Sequence, residues 1–102
     1  MKVYLSGPIT GTNDFMDRFA SAEKILVKIG CEVVNPAEIN SHLPEGTAWQ
    51  TYMGESLKLL CGCDAICMLD NWEVSKGARI EHDVAEKMGM FFLSIKKGKE
   101  SR

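Results

Sequence analysis

The sequence has no apolar run long enough to cross a membrane. Its longest such run, residues 88–95, is interrupted by Gly89 and Ser94 and is far shorter than the roughly 20 residues that a membrane-spanning helix needs. Because the first predicted strand begins at residue 2, we also expect no secretory leader. These two absences predict a cytoplasmic protein that has no membrane partner.

Positive charge is in short supply as well. The 12 lysines and arginines are outnumbered by 14 aspartates and glutamates, which gives a formal net charge of −2. A nucleic-acid polymer is therefore not an expected partner, because such partners are held by clustered basic side chains. A small ligand is compatible with this charge, since one or two local cations are enough to hold it.

Histidine and cysteine are too few and too unfavourably spaced for a metal centre. The four cysteines stand at positions 31, 61, 63 and 67, and two histidines are present; this spacing does not match that of zinc sites. We predict free thiols, with Cys63 and Cys67 flanking a buried strand as small apolar residues, as a reducing cytosol allows. The sequence also has no G-x-G-x-x-G dinucleotide fingerprint, and no cofactor is predicted.

What remains is the composition of one globular domain. Apolar residues make up 45% and charged residues 25% of the 102 positions, which is ordinary for a soluble domain with a single core. Neither disorder nor a repeat array is indicated. We predict one domain over residues 1–96, followed by a polar tail over residues 97–102.

Apolar periodicity predicts four strands that alternate with three helices. The strands are expected at residues 2–5, 31–34, 64–69 and 91–95, and the helices at residues 13–29, 47–60 and 78–88. Residues 37–46 are predicted to be an irregular loop and residues 70–77 a turn. The alternation implies a mainly parallel sheet in the order 2-1-3-4 with helices on both faces. This is a small three-layer α/β fold of the flavodoxin or Rossmann type.

Each predicted helix has an expected cap or buried stripe. Thr12 or Asn13 is expected to cap the first helix, and Gly30 is expected to end it. The buried stripes are expected at Met53, Leu57 and Leu60 in the second helix and at Ile80, Val84 and Met88 in the third.

The functional end of such a sheet lies beyond the carboxyl ends of its strands, where the strand order reverses. Residues 6–12, 35–46 and 70–77 are expected to meet there. In the first of these segments Gly7 and Gly11 allow close backbone approach and positive φ, so the loop can hold an anion or a hydroxyl group. The alternative is an ordinary glycine-proline turn.

Glu81 is the candidate nucleophile. It lies early in the third predicted helix, and Ala78 and Ala85, at i−3 and i+4, would leave space above its carboxylate. A carboxylate in that place suits attack on a sugar carbon, and the helix N-terminus would keep it ionised. The alternative is an acid that only complements the helix dipole.

The other candidates also have structural alternatives. Glu55 can be a solvated helix acid, and Asp70 can be the cap of a turn. Tyr4 can belong to the core, or its hydroxyl can reach the site. His42 is expected to be exposed and His82 to point away from Glu81, so no histidine base is predicted.

Five segments carry a resemblance to a known family. They are YLSGPITG at residues 4–11, Asn35-Pro36, YMGE at residues 52–55, CDAI at residues 63–66 and WEVSKGARIE at residues 72–81. Their order and spacing over residues 2–95 resemble the nucleoside 2-deoxyribosyltransferase superfamily, especially its short bacterial and phage-encoded, deoxynucleoside monophosphate N-glycosidase-like branch. The resemblance implies cleavage or transfer at the N-glycosidic bond of a (deoxy)nucleoside or its 5′-monophosphate.

The resemblance also implies roles for particular residues. Glu81 matches the nucleophile that takes up the sugar, and Ser75 matches a position that binds the sugar's 5′ end. Tyr4 matches a tyrosine that orients the catalytic acid. Glu55 matches an aspartate that helps the base to leave, with Asp70 as the other candidate acid. The implied binding residues are Ser6, Gly7, Pro8, Ile9, Gly11, Asn35, Trp72, Ser75, Gly77 and Ala78.

Several alternatives stay open at this point. Water as the acceptor would make the protein a hydrolase, and a base as the acceptor would make it a transferase. The other interpretations are a non-catalytic nucleotide-binding module that acts through a partner protein, and a nicotinamide-dinucleotide glycohydrolase. Family members complete their sites across subunits, so a homodimer or larger assembly is expected. Its contacts are expected to involve Trp49, Trp72, Phe91 and Phe92.

Overall fold

The computed structural model describes residues 1–9 and 13–95. The strands are β1 (Lys2–Ser6), β2 (Glu32–Val34), β3 (Ala65–Met68) and β4 (Phe91–Ser94). The helices are α1 (Phe15–Lys28), α2 (Pro36–Asn40), α3 (Trp49–Cys61) and α4 (Lys76–Lys87), and a short 3₁₀ turn covers Trp72–Val74. The predicted polar tail lies outside the described residues, as do Thr12 and Gly11.

The four strands form one parallel sheet in the order β2-β1-β3-β4, as predicted. The two central strands pair along their length, from Val3 beside Ala65 to Ser6 beside Met68. Because β1 and β3 are covered on both faces, their side chains are nearly all buried. The carboxyl ends of all four strands therefore lie on one edge of the sheet, which is the edge at which the order reverses between β1 and β3.

Alternation along β1 divides the core into two layers. Val3 and Leu5 face α1, where they pack in a cluster with the buried side chains of Phe19 and Leu26. Tyr4 faces the other side, in a cluster that includes Leu60 of α3 and Ala85 of α4. Since side chains alternate across a strand, Ser6 lies on the same face as Tyr4. This face is the one that α4 covers.

The ends of α1 agree with the prediction at one end only. Asp14 occupies the N-cap position and makes no side-chain cap, so the predicted cap by Asn13 is wrong. At the other end, Gly30 follows the helix with a φ of 95°. This left-handed conformation is the usual helix ending by glycine, because glycine has no Cβ to clash.

The segment predicted as an irregular loop over residues 37–46 begins with a helix, α2, and the prediction is wrong there. The Asn35 side chain accepts hydrogen bonds from the backbone N–H groups of Ala37 (3.1 Å) and Glu38 (3.3 Å). Pro36 occupies the first helical position, where its missing N–H costs nothing. The Asn-Pro pair that closes β2 therefore also starts a helix.

The third predicted helix, α4, starts two residues earlier than expected and buries a different face. The Ser75 hydroxyl caps it by accepting from the Ala78 N–H at 3.2 Å. Its buried residues are Ala78, Glu81 and Ala85, whereas Met88 of the predicted stripe is 52% exposed. The two alanines let the helix lie close to the sheet. Glu81 is tolerated inside because its carboxylate has hydrogen-bond partners there.

In α3, Leu60 is buried, while Met53 and Leu57 are half-buried. All four cysteines are free thiols, as predicted. Cys67 lies within β3 and is buried, and Cys63 is half-buried just before that strand. Among the described helices, none has the length and apolar character that crossing a membrane requires.

Candidate active site

The Glu81 carboxylate lies buried at the carboxyl end of β1, where two hydroxyl groups hold it. The Tyr4 hydroxyl donates to Oε2 at 2.6 Å, and the Ser6 hydroxyl donates to Oε1 at 2.6 Å. Glu81 itself is 7% exposed. Each carboxylate oxygen therefore has its own short hydrogen bond, as charge-assisted O–H···O⁻ bonds are.

The backbone explains why these three side chains meet. Tyr4 and Ser6 are two residues apart on β1, so both side chains point to the face covered by α4. Glu81 lies in the second turn of α4, on the inward stripe between Ala78 and Ala85. A strand and a helix that each place small or polar side chains at one crossing point can hold a carboxylate between them.

Burial and hydrogen bonding act on Glu81 in opposite directions. Removal from water raises the pKa of the Glu81 carboxyl above its ordinary value, while the hydrogen bonds from Ser6 and Tyr4 lower it. The net direction is upward. The two hydroxyls therefore oppose the effect of burial on the Glu81 pKa without cancelling it.

A chain of polar side chains continues from Tyr4 away from Glu81. Burial, the Glu81 charge and the hydrogen bond to Glu81 raise the Tyr4 pKa, and hydrogen bonding with Ser56 acts in the opposite direction. The Asn40 side-chain amide donates to the Ser56 hydroxyl at 2.8 Å. Because an amide nitrogen can only donate, the Ser56 proton is left free to point toward Tyr4. Helices α2 and α3 are thereby tied to the same site.

A cavity of about 970 Å³ opens in front of Glu81 at the carboxyl edge of the sheet. This size lies at the upper end of the roughly 300–1,000 Å³ range of small-molecule sites. The lining residues come from β1, from the segments that follow β1, β2 and β3, and from the four helices. They are Tyr4, Leu5, Gly7, Pro8, Ile9, Phe15, Phe19, Pro36, Ala37, Asn40, Ser41, Thr47, Trp49, Tyr52, Met53, Ser56, Val74, Ser75, Lys76, Gly77, Ala78 and Glu81.

The cavity has an acidic end and largely apolar walls. Phe15, Trp49 and Tyr52 supply aromatic surface, which suits a flat ring. The charged side chains among the described lining residues are Glu81 and Lys76. The Lys76 ammonium lies 4.9 Å from the centre of the Trp49 ring, within cation–π range.

The loop after β1 lies at the cavity, as predicted, but Gly7 is needed there for only one of the two predicted reasons. Gly7, Pro8 and Ile9 line the cavity, and Gly11 lies outside the described residues. Gly7 does not have a positive φ. A Cβ at this position would lie 2.9 Å from the Leu69 Cβ, so the chain needs glycine here for close approach.

The predicted residues around the start of α4 also line the cavity. Ser75, Gly77 and Ala78 all belong to its wall. A Cβ at position 77 would lie 3.3 Å from the sulfur of Met53, so Gly77 lets α3 and α4 approach each other beside the cavity. The Ser75 hydroxyl caps the helix.

Five predicted site residues among those described lie outside the cavity wall: Ser6, whose hydroxyl binds Glu81, and four residues that contact neither Glu81 nor the cavity. Glu55 pairs with Lys58 at 3.7 Å on an exposed part of α3. Asp70 is exposed after β3, and Trp72 stacks on the His82 ring at 4.5 Å. Asn35 caps α2 and donates to Glu23 Oε1 at 3.0 Å. The structure brings Tyr4, Ser6, Ser75 and Glu81 together, but not these four.

Asn40, Ser56 and Lys76 are site residues that the sequence analysis missed. Ser56 falls at i+3 from Met53 and i−4 from Leu60, so it lies on the predicted apolar stripe of α3. Glu55 lies about 100° around the helix from it. A polar residue inside an apolar stripe was the signal that could have identified Ser56. Asn40 had no such signal, because its segment has no clear period.

Within residues 1–9 and 13–95, a group of side chains that could hold a metal ion lies on α4, away from the cavity. Potential ligand atoms of His82, Asp83 and Glu86 lie within 4.8 Å of one another. Asp83 and Glu86 are exposed, and none of the three lines the cavity. The His82 ring is packed between Trp72 and Phe92. Nothing in this arrangement connects a metal ion with Glu81.

Comparison with solved structures shows that the fold occurs in an enzyme. The chain is similar to a 2-deoxyribosyltransferase from the psychrotolerant bacterium Bacillus psychrosaccharolyticus, with a TM-score of 0.74 and 19% sequence identity. The similarity covers 92% of this chain and 71% of that one. No curated protein matches the sequence. Residues 1–94 match the sequence profile of a family described as a domain of unknown function (DUF4406).

Proposed function

The chain belongs to the family described as a domain of unknown function (DUF4406), so we infer its activity from the site. We propose that the protein is an N-glycosidase or a nucleoside deoxyribosyltransferase. It breaks the bond between the base and the sugar of a (deoxy)nucleoside or nucleoside 5′-monophosphate and transfers the sugar to water or to another base. Glu81 is the nucleophile. The observation behind this proposal is the buried Glu81 carboxylate, held by Tyr4 and Ser6 at the end of a large cavity.

The proposed reaction is a double displacement. A Glu81 oxygen attacks the anomeric carbon while the bond to the base nitrogen breaks, and the electron pair of that bond leaves with the base. The base takes up a proton as it leaves. A water molecule or the nitrogen of a second base then attacks the same carbon, gives up a proton to the deprotonated acid or to solvent, and releases the Glu81 carboxylate. The configuration at the anomeric carbon is retained because it is inverted twice.

The shape of the cavity supports this placement of the substrate. The sugar would lie over Glu81, and the base would extend toward the aromatic side chains of Phe15 and Tyr52. Lys76 at the start of α4 would meet a 5′-phosphate, since it is the cation among the described lining residues. A 5′-monophosphate substrate is thereby proposed beside the free nucleoside.

The fold gives independent support of a coarser kind. The enzyme from Bacillus psychrosaccharolyticus shares the fold, and a 2-deoxyribosyltransferase by its name moves a deoxyribosyl group. Transfer to a base is one form of the proposed activity, and transfer to water, which is hydrolysis, is the other. The phage-encoded and N-glycosidase-like branch suggested by the sequence segments belongs to this proposal.

Three further parts of the proposal concern the acid, the assembly and the compartment. Glu55 or Asp70 is still the proposed acid that protonates the base, although each would have to act from outside the cavity wall.

We propose a homodimer or larger assembly, because a partner chain could complete the cavity wall. We place the protein in the cytoplasm, where its free thiols would stay reduced.

Chromatography of a panel of ribo- and deoxyribonucleosides and their 5′-monophosphates tests the proposal. We expect the protein to release free base from at least one of them, and Glu81→Gln to lower that release by at least about 1,000-fold, as loss of a nucleophile does. Adding a second base separates transfer from hydrolysis. A preference for the monophosphate that Lys76→Gln abolishes would assign the phosphate to Lys76.

The matched control is Glu86→Gln, which removes an exposed carboxylate from the same helix. It is expected to keep full activity, because Glu86 does not line the cavity. Base release by Glu81→Gln at the wild-type rate would rule out the nucleophile. Binding of a nucleotide without release of base from any member of the panel would favour a binding module instead.

A further inference from the structure

Ser6 was expected to touch the substrate, and the structure gives it different surroundings. The residue is 1% exposed and is not part of the cavity wall. Its hydroxyl donates to Glu81 Oε1 at 2.6 Å. The backbone carbonyl of Ser6 accepts from the Leu69 N–H at 2.8 Å, so the residue is fixed in the sheet.

The hydroxyls of Ser6 and Tyr4 each bind a different oxygen of the Glu81 carboxylate. Tyr4 donates to Oε2 and Ser6 to Oε1, from one face of one strand. A carboxylate held through one oxygen can still turn about its last carbon–carbon bond. Donors on both oxygens fix the plane of the group, because turning it would break one of two short charge-assisted bonds. The lone pairs that remain are then the ones that can face the cavity.

We propose that Ser6 is a positioning residue of this site, which sets the orientation of the Glu81 carboxylate for attack and does not bind the substrate. The inference rests on the proposed function, in which Glu81 attacks a sugar carbon. It assigns to a strand hydroxyl a task that neither the cavity wall nor the sequence segments indicate. Tyr4 alone would supply a donor but not a fixed plane.

The same hydroxyl also influences the charge of Glu81. Burial raises the Glu81 pKa, and the hydrogen bonds from Ser6 and Tyr4 oppose this. Tyr4 has a strongly raised pKa and stays protonated over the working range. The other charged side chain among the described lining residues, Lys76, is exposed at the first residue of α4. Loss of the Ser6 hydroxyl should therefore shift ionisation of Glu81 to higher pH.

Three substitutions at this position separate the hydroxyl from its bulk. Ser6→Ala removes the donor, Ser6→Cys keeps the side-chain shape with a much weaker donor, and Ser6→Thr keeps the hydroxyl. The first measurement needs no substrate. The ionisation of Glu81 is followed by the carboxyl band in infrared difference spectra, with Glu81→Gln to identify the band.

We expect the Glu81 pKa to rise in Ser6→Ala and Ser6→Cys and to return toward the wild-type value in Ser6→Thr. If Ser6→Thr does not fold because of its extra methyl group, the first two variants still decide the question. An unchanged Glu81 pKa in both would overturn the proposal.

The second measurement is the rate of base release by the same variants across pH. We expect kcat to fall about 10-fold in Ser6→Ala and Ser6→Cys, the loss typical of one hydrogen bond to a charged group. The KM should stay within about twofold, since a positioning residue does not hold the substrate. The acidic limb of the rate profile should move to higher pH.

The two measurements distinguish failure of this inference from failure of the proposed function. A raised KM with an unchanged kcat would make Ser6 a binding residue and overturn the inference while leaving the enzyme. Absence of base release by the wild-type protein would overturn the proposed function. The infrared titration would then still show whether Ser6 holds the Glu81 carboxylate.

Discussion

At the scale of single residues, burial and hydrogen bonding have opposite effects on the Glu81 carboxylate. A buried carboxylate costs free energy, and burial accordingly raises its pKa. The two hydroxyls of Tyr4 and Ser6 recover part of this cost but leave the net shift upward. Proteins keep such groups chiefly where they are used, because a substitution could remove the cost. This is a physical reason to assign chemistry to Glu81 rather than to the exposed acids of the same helix.

The raised pKa predicts how stability depends on pH. A group whose pKa is higher in the folded state contributes stability that is complete below its unfolded pKa and is lost as the pH rises through its folded pKa. We therefore expect Glu81→Gln to gain in stability relative to the wild type as the pH increases from about 4 to about 8. Urea unfolding across this range measures the difference, with Glu86→Gln as the reference for removing a carboxyl from α4. A difference that falls with pH would contradict the assignment.

At the scale of elements, the site depends on how closely backbone segments approach each other. The end of β1 lies against the segment after β3, with no room for a Cβ at Gly7 beside Leu69. Helix α4 lies close to the sheet through Ala78 and Ala85. Caps from Asn35 and Ser75 start α2 and α4 at the cavity edge. The small residues and the helix caps therefore determine where the walls of the cavity lie.

Two glycines allow a matched test of close approach. Gly7→Ala would bring its Cβ within 2.9 Å of the Leu69 Cβ, and we expect it to destabilise the fold by about 1–3 kcal/mol, as overpacking does. Gly54 lies inside α3, and a Cβ added there would point into open space, with no neighbouring atom of another segment within 4 Å. Gly54→Ala should stabilise the fold by about 0.5–1 kcal/mol, because alanine favours the helix. Urea unfolding measures the change in the free energy of unfolding for both variants. Changes of the same sign and size would contradict the prediction.

At the scale of the whole molecule, β4 is an edge strand with which no other described strand pairs on its outer side. Strand β4 is the last of the four, and its side chains Phe91 and Phe92 are 64% and 43% exposed. Such an edge offers both unpaired backbone groups and apolar surface to another chain. Trp49 is exposed as the sequence analysis expected, at 40%, whereas Trp72 is partly covered through its stacking on His82. The assembly proposed above would involve the edge strand first.

Light scattering on a sizing column tests the assembly. We expect a mass at least twice that of the 11.3 kDa chain and expect Phe91→Lys to lower it, since a charge at an exposed edge opposes pairing. Ile29→Lys, at a 71% exposed position just after α1, is the control and should leave the mass unchanged. A wild-type monomer at micromolar concentration would count against a site shared between chains.

The sequence could predict most of the architecture because its signals are local. Alternation of apolar runs with turn residues is enough to place four strands, and right-handed crossovers then leave few orders for the sheet. The resemblance carried by segments 4–11 and 72–81 also implied that Tyr4, Ser75 and Glu81 belong to one site. Helix starts were less predictable: the capping by Asn35 looks in the sequence like the end of a strand.

By itself, the sequence determined the four strands, their parallel order and the edge of the sheet at which Glu81 lies, because these follow from local periodicity and chain connectivity. Only the tertiary structure decided which side chains face the cavity. A shift of one residue around a helix is about 100°, so it turns Glu55 outward to Lys58 and Ser56 inward to Asn40. On β1, the Ser6 hydroxyl contacts the Glu81 carboxylate and not the cavity. The sequence could not show this, because the contact joins residues 75 positions apart.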